Sequence, residues 1–567
     1  MRKVIFGPPG TGKTTTLMGI ITDLIDQGAQ PDEIAFVSYT RAAIMEARAR
    51  VGEATGLEPE SFVWFRTLHS ACSRLLGFNP SKQALKAKHL AHFRRVYGYD
   101  LTPDKSSSEE GIMELPSKTP ADDLRLAYEW CRAALVPWRL CPPSMLGRAS
   151  VEDLRLFAER FDDYKQINCV EKRPIKTDDG KTIKTSTGAT VAELVNVAPR
   201  MDFGDIMQEA DDTMLTLPDD VRFLIVDEAQ DLSPIQIRIV QRWIDAAEQV
   251  WVAGDDDQSI FGFQAASPDW MVWLHERPAW ESEVLAKSWR CPEPVRCAAE
   301  ALISRAVDRV PKAYTSRDGD GDYRTHVAPQ EAMETVQQFA DDGRDVFALG
   351  RTGASVGALA NWLFRSDVPY TVERGTGCKN PLGSAKLMKA AETLHRLGRL
   401  EAADRADLVA AVSLIPSDRG ATQFGWLKYG AKKLIAGFSR DRVTPDDCEE
   451  LGVGGLLAQC QVDPWLPLAP KSNGEILAWL RRQWERNDGE WPQPKVIAMT
   501  WHRSKGRGAD LVIIDPSLPR PAVRALQSHD SRTRDEEHRC AYVALTRTKH
   551  TCLVLAVRGR WYQFPHE

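Results

Sequence analysis

Four short apolar segments, Lys3 to Phe6, Ile34 to Ser38, Phe223 to Val226 and Val250 to Ala253, read as strands of a parallel sheet buried on both faces. Each is β-branched or aromatic and leads into a motif or a helical run. Val346 to Leu349, Val496 to Met499, Leu511 to Ile514 and Thr551 to Leu555 repeat the pattern further along. Strand–helix alternation of this kind predicts two doubly wound α/β sheets, with ligands held beyond the carboxyl ends of the strands. Two tracts, about residues 79 to 199 and about 379 to 491, break the alternation and read as insertions. The first has helical patterns, a polar stretch from Asp104 to Glu110 and a candidate hairpin from Glu171 to Thr187 turning at Asp178-Asp179-Gly180. The second is mostly helical, with a Gly-rich stretch from Gly452 to Gly455. No tandem repeat is present.

Composition narrows the class. The 567 residues are 43% hydrophobic and 27% charged, with a formal charge of −6. That is ordinary for a soluble globular chain and excludes a disordered one. No apolar run approaches the roughly 20 residues of a membrane span. The opening Met1 to Phe6 is too short an apolar stretch for a signal peptide, so a cytoplasmic location and no membrane partner are expected. The 11 cysteines include no Cys-x-x-Cys, which predicts reduced thiols serving as small core residues. Net acidity at first argues against a nucleic-acid partner, since phosphate binding needs local positive charge.

Gly7-Pro8-Pro9-Gly10-Thr11-Gly12-Lys13-Thr14 fits GxxxxGK[ST] and lies between an apolar strand and a helical run. In that setting backbone N–H groups and a helix N-terminus surround phosphates, Lys13 reaches the outer phosphate oxygens and Thr14 helps to hold Mg²⁺. Downstream, the strand Phe223 to Val226 ends in Asp227-Glu228. A phosphoryl hydrolase needs carboxylates at that point, Asp227 for the Mg²⁺ shell and Glu228 to orient and deprotonate the attacking water.

From Asp227-Glu228-Ala229-Gln230-Asp231 onward the sequence resembles superfamily 1 helicases of the UvrD/Rep type, with the other motifs in family order over somewhat more than half the chain. Ser38 to Ala43 resembles motif Ia. Thr67 to Ser70 with Arg74 resembles the next DNA-binding motif, and Met201 to Asp205 the return from the first insertion. Gly254 to Phe263 resembles motif III, Leu285 to Arg290 motif IV, Thr500 to Gly506 motif V and Tyr542 to Arg547 motif VI. The resemblance implies two RecA-like core domains with parallel sheets, each carrying a mostly helical insertion. The first core would be 1–78 and 200–275 with insertion 79–199, and the second 276–378 and 492–567 with insertion 379–491.

The resemblance also implies ATP with Mg²⁺ as cofactors and a set of roles. The phosphate-binding residues extend to Thr15, with Gly506 contributing from motif V. Gln258 senses the γ-phosphate, and Trp289 stacks on the adenine. Arg290 and Arg547, both expected in the second sheet, act as arginine fingers when the domains close. Tyr39, Thr40, Thr67, His69, Phe263, Arg351, Thr500 and His502 would line the path of a single strand, where aromatics stack on bases and hydroxyls or arginine hold phosphates. Such a track uses few cations, so the net acidity is no obstacle to DNA. The implied activity is ATP-driven 3′-to-5′ movement on single-stranded DNA with unwinding at single/double-strand junctions, by a monomer with replication or repair partners. A protein-stripping translocase that unwinds poorly, an ATP-gated clamp without turnover, and an RNA substrate are the alternatives.

Three departures from the family stand out. Where the family has a segment with an adenine-reading glutamine before the P-loop, Met1 stands only three residues before Val4. Gly508, with Asp510 nearby, takes the place of a usual glutamate after Lys505-Gly506, and Gln264 takes that of a usual arginine after Phe263. The first departure predicts weak discrimination among nucleotides, checked by comparing hydrolysis of ATP and GTP; a strong preference for ATP would contradict it. The candidate hairpin sets Lys172, Arg173, Lys176, Lys181 and Lys184 against Glu171, Asp178 and Asp179. It is either simply solvated or touches DNA phosphates near the junction. In the second case, replacing Lys176, Lys181 and Lys184 with alanine weakens binding and flattens its dependence on salt, and an unchanged slope refutes the contact.

Overall fold

The computed structural model describes residues 1–79, 83–102, 119–167, 170–174, 192–196, 200–373, 379–415, 432–451, 453–468 and 474–566. Met1–Arg290, Ile303–Arg317 and Ser528–Arg539 form one compact unit; Cys291–Leu302, Asp318–Gln527 and Cys540–Glu567 form the other.

In the first unit, strands β1 (Arg2–Phe6), β2 (Ile34–Ser38) and β3 (Phe65–Thr67) precede an antiparallel pair, β4 (Val170–Pro174) and β5 (Ala192–Asn196). Strands β6 (Phe223–Val226), β7 (Gln249–Gly254) and β8 (Glu281–Val284) follow. The sheet runs β3-β2-β6-β7-β1-β8, and every pairing in it is parallel. Strict alternation explains why its central strands are apolar throughout. Val4, Phe6, Ala35, Val37, Leu224, Val226, Val250 and Val252 pack on one face. Ile5, Ile34, Phe36, Phe223, Ile225, Trp251 and Ala253 pack on the other. The four central strands fall where the apolar runs put them. β3 and β8 carry no such signal, because an edge strand is paired and covered on one side only, and Glu281-Ser282-Glu283 is half-exposed or open.

The second unit contains β9 (Asp322–Val327), β10 (Val346–Gly350) and β11 (Tyr370–Val372), a short antiparallel pair β12 (Ala403–Asp404) and β13 (Arg442–Val443), and then β14 (Val496–Thr500), β15 (Ala509–Asp515) and β16 (Thr548–Leu555). Its sheet runs β11-β14-β10-β15-β16-β9, again all parallel. Two doubly wound α/β sheets of RecA type are therefore present. The interior of the second insertion is continuous with the core under this sheet, through Trp465, Trp479 and Trp484. The first insertion has an interior of its own, where Phe93, Tyr128, Phe157, Phe161 and Tyr164 pack between helices Ala87–Tyr97, Pro120–Ala134 and Val151–Ile167.

Three expectations are corrected. The first core does not stop at residue 275: β8 pairs with β1, so the chain stays in the first unit to Arg290 and returns to it at Ile303–Arg317 and Ser528–Arg539. The candidate hairpin is wider than expected, because Val170 pairs with Asn196 and Pro174 with Ala192, which puts the return strand beyond Thr187. Its turn, with Lys176, Lys181 and Lys184, lies outside the described residues. Arg290, expected in the second sheet, belongs instead to the first unit. The described cysteines are all free, and all but Cys297 are buried. Among the described residues, no helix is long and apolar enough to cross a membrane.

Candidate functional site

The carboxyl end of β1 fixes the site. Phe6 is in register with Gly254 at the end of β7 on one side and with Val284 at the end of β8 on the other. Parallel pairing makes all three chains leave the sheet at the same edge, so the P-loop, the motif III turn and the motif IV segment emerge side by side. Gly7 N donates to Gly254 O at 2.8 Å, and the loop then turns through Pro8 O, which accepts from both Thr11 N and Thr11 Oγ1. Lys13 opens helix Lys13–Asp26, with Thr14 and Thr15 in the same first turn.

Motif IV lies directly on this loop. Ser288 Oγ donates to Pro9 O at 2.7 Å, and Trp289 N donates to Gly10 O at 2.7 Å. Gly10 has φ +75°, and a Cβ there would stand 2.3 Å from the Cβ of Arg290. Only glycine allows both the left-handed backbone and that approach. Arg290 therefore already stands at the phosphate loop of its own unit, which corrects the expectation that it arrives on domain closure. The Trp289 ring is 67% exposed, with Lys287 Nζ 4.8 Å from its centroid. A Cβ at Gly12 would lie 3.9 Å from its Cδ1. An open indole beside the loop suits stacking on a nucleobase.

β6 delivers the carboxylates. Lys13 Nζ lies 3.3 Å from Asp227 Oδ1 and 2.8 Å from Glu228 Oε1. Burial alone lowers the Lys13 pKa, but Glu228 and Asp227 more than offset it, and the ammonium is held well above its ordinary value. Burial pushes the Asp227 carboxyl up, against the pull of Lys13. Among the described residues no group of three or more His, Cys, Asp or Glu could hold a metal ion. A buried carboxylate 3.3 Å from the P-loop lysine, with a threonine next to that lysine in the chain, instead fits Mg²⁺, which keeps most of its shell as water and phosphate oxygen. Thr14 and Asp227 are the residues that would hold it. Gln258 ends the turn Asp256–Gln258, and its Nε2 donates to Asp255 Oδ2 at 2.6 Å.

These features can be set beside known proteins. Residues 2–278 match the UvrD/REP helicase N-terminal domain. Over that stretch, just under half of its length, the chain is similar to the UvrD/Rep helicases. It is 24% identical over 387 residues to the ATP-dependent DNA helicase PcrA of Leuconostoc citreum, covering 66% of this chain and 48% of the relative. It is 24% identical over 393 residues to DNA helicase II of Escherichia coli (strain K12), covering 66% and 49%. The chain thus spans about half the length of the curated relatives it matches.

The residues expected to line a single strand fall into two groups, one in each unit. In the first, Tyr39 stacks on Phe261 with centroids 5.8 Å apart, and Phe263, 37% exposed, meets Phe261 edge-on. The Tyr39 hydroxyl donates to Gln264 Oε1, so the residue that replaces the family's arginine braces an aromatic. Burial raises the Tyr39 pKa, which keeps this donor protonated. Thr40 and Thr67 are helix N-caps, their hydroxyls accepting from Ala43 N and Ser70 N. His69 lies edge-on to Phe203 and lines a cavity of about 430 Å³ with Thr67, Arg41 and Arg125. Burial lowers its pKa to about 4, so it is neutral at physiological pH.

In the second unit, Gly350 is in register with Thr500, so Arg351 and His502 follow from one edge of that sheet. Thr500 Oγ1 accepts from Arg503 N, within the turn His502–Ser504, at 3.4 Å. Burial, aided by Arg351 and Lys505, brings the His502 pKa down to about 3, and its Nε2 lies 3.4 Å from Cys540 Sγ. Gly506 follows that turn with φ +79°. Arg547 is buried in this unit, with Nε donating to Val543 O at 2.8 Å and Nη1 to Arg507 O at 3.3 Å. Asp510, near the position of the missing glutamate, accepts from Asp345 N at 3.2 Å.

Sequence reasoning passed over several residues of the site. Lys312 Nζ is buried among Asp256 at 2.6 Å, Asp257 at 2.8 Å and Asp255 at 3.5 Å, and Arg309 forks onto Asp257. Burial pushes Asp255 up to about 6 against the pull of Lys312, while Asp257 falls below its usual range because Lys312 and Arg309 outweigh its burial. Gly262, next to Phe263, is held by Trp130 Nε1 on its carbonyl and Glu536 Oε1 on its N–H. Only the three adjacent aspartates hinted at a buried cation. Replacing Lys312 with methionine strands those carboxylates without a counter-charge and is expected to cost about 3–5 kcal/mol, read from urea unfolding of the full chain. An unchanged unfolding midpoint would refute that role.

Proposed function

We propose that the protein is an ATP-dependent DNA translocase and helicase that moves 3′ to 5′ on single-stranded DNA. The observation that carries this reading is the convergence of Lys13, Asp227, Glu228, Gln258 and Arg290 at one edge of the first sheet, contiguous in chain with Phe261 and Phe263. Glu228 has the position to orient and deprotonate a water for in-line attack. Arg290 and Lys13 supply positive charge to the transferring phosphoryl group, with Arg547 as a second arginine. Bound Mg²⁺ would neutralise charge on the phosphate oxygens. Gln258 sits three residues before Phe261, so a change at the nucleotide has a short path to the aromatics that would stack on bases. ATP-driven closing and opening of the two core domains would alternate their grip on the strand. The names of PcrA and DNA helicase II support the same substrate.

Strand displacement on 3′-tailed, 5′-tailed and blunt duplexes with ATP and Mg²⁺ tests activity and direction together. Unwinding of the 3′-tailed duplex alone is expected. Single-strand-stimulated ATP hydrolysis without displacement would favour a protein-stripping translocase, and no hydrolysis at all an ATP-gated clamp. Glu228→Gln should lower the stimulated kcat by roughly 10²-fold or more while single-strand binding persists. A Glu228→Gln protein of near-normal kcat would refute the assignment of the base.

A further inference from the structure

The residue that holds Glu228 in place is Gln230, for which the motif resemblance supplied no role. Glu228 follows β6 with φ +53°, a left-handed backbone that a non-glycine residue adopts only when its surroundings enforce it. Gln230, two residues on, is fully buried in the turn Ala229–Asp231. Its Nε2 donates to Glu228 Oε2 at 2.5 Å and to Asp231 Oδ2 at 3.3 Å, and its Oε1 accepts from Asp255 N at 3.0 Å. Its backbone O accepts from Ser259 Oγ at 3.0 Å. The contacts at Asp255 and Ser259 bracket the whole Asp256–Gln258 turn, and Asp255 in turn accepts from Gln258 Nε2.

Donor and acceptor chemistry fixes which way the amide points. A backbone N–H only donates, so the amide oxygen must face Asp255. The NH₂ group must then face the carboxylates. With Oε2 of Glu228 taken by this donor, its Oε1 is the oxygen turned to Lys13 at 2.8 Å. The approach is close enough to dictate a neighbour: a Cβ at Gly254 would stand 2.4 Å from Gln230 Oε1. Replacement by leucine or glutamate loses part of this set. Leucine makes neither bond, and glutamate sets a carboxylate against that of Glu228.

We propose that Gln230 is a positioning residue for ATP hydrolysis, its fixed amide locking the water-activating carboxylate of Glu228 and the loop bearing Gln258 into one register. This rests on the reading of the chain as an ATP hydrolase. A rigid link of this kind lets the group that activates water and the group that faces the γ-phosphate act on the same nucleotide geometry.

The test is steady-state ATP hydrolysis with single-stranded DNA by the full chain, for wild type, Gln230→Leu, Gln230→Glu, Glu228→Gln and the double variant Glu228→Gln/Gln230→Leu, with thermal melting of each. Gln230→Leu is expected to lower kcat by roughly tenfold to a hundredfold with the KM for ATP within about threefold, the signature of an interaction that serves the transition state alone. In the Glu228→Gln background it should add no further loss, because its action runs through that carboxylate. Gln230→Glu keeps an acceptor for Asp255 N but loses the donor to Glu228 Oε2, and is expected to lower kcat to a similar degree with the KM for ATP again little changed. A kcat for Gln230→Leu within about threefold of wild type, or a loss that multiplies onto that of Glu228→Gln, would overturn the inference. If Gln230→Leu melts below assay temperature, Gln230→Glu decides, and a kcat for it within about threefold of wild type refutes the role. A wild-type chain that hydrolyses no ATP would instead overturn the parent reading, and this inference with it.

Discussion

Parallel pairing on either side of β1 is the constraint on which the rest depends. In a parallel sheet all strands end at the same edge, so whatever follows β1, β7 and β8 must meet there. The P-loop, the turn carrying Gln258 and the segment carrying Trp289 and Arg290 are far apart in sequence and adjacent in space for this reason alone. β6, beyond β7, adds Asp227 and Glu228 at the same edge. Gly10 and Gly254 are the places where this convergence is tightest, each approached by a neighbour too closely for any side chain.

Convergence of this sort concentrates charge, and burial makes charge costly. Asp255, Asp256 and Asp257 are withdrawn from water almost completely, and Lys312 with Arg309 makes that tolerable. Both cations come from Ile303–Arg317, a segment that rejoins the first unit after the chain has left it. The motif III turn is therefore held from below by a buried ion cluster, from one side by Gln230, and at Gly262 by Trp130 and Glu536. A loop anchored on so many sides has little freedom to answer a nucleotide except as a unit.

Much of the site is legible in the sequence alone. Lys13, Thr14, Asp227 and Glu228 follow from a P-loop between strand and helix and a strand ending in two acids, because phosphate chemistry demands those types at those strand ends. Thr40 and Thr67 show the limit of motif matching. Their hydroxyls cap helices, a local backbone need that a threonine before a helical run serves whether or not DNA is near. Arg290 shows another, since its placement turns on β8, whose Glu281-Ser282-Glu283 gives no apolar signal. Gln230 lies within the stretch Asp227 to Asp231 that carries the family resemblance, but its partners include a carboxylate two residues away and a backbone N–H just past the end of β7, and only the second reveals its orientation.

The sequence by itself determined the two parallel sheets and the likeness to the UvrD/Rep helicases, because apolar strand cores and the glycine-rich and acidic motifs at their ends are written in short contiguous stretches. The tertiary structure alone decided that Arg290 belongs to the P-loop's own unit, that Lys312 neutralises the aspartate turn, and that one buried amide ties Glu228 to the loop of Gln258. Each of these depends on which strand edges are neighbours and which polar groups are sealed from water together. Strand order and burial are properties of the assembled sheet, and no local pattern of residues encodes them.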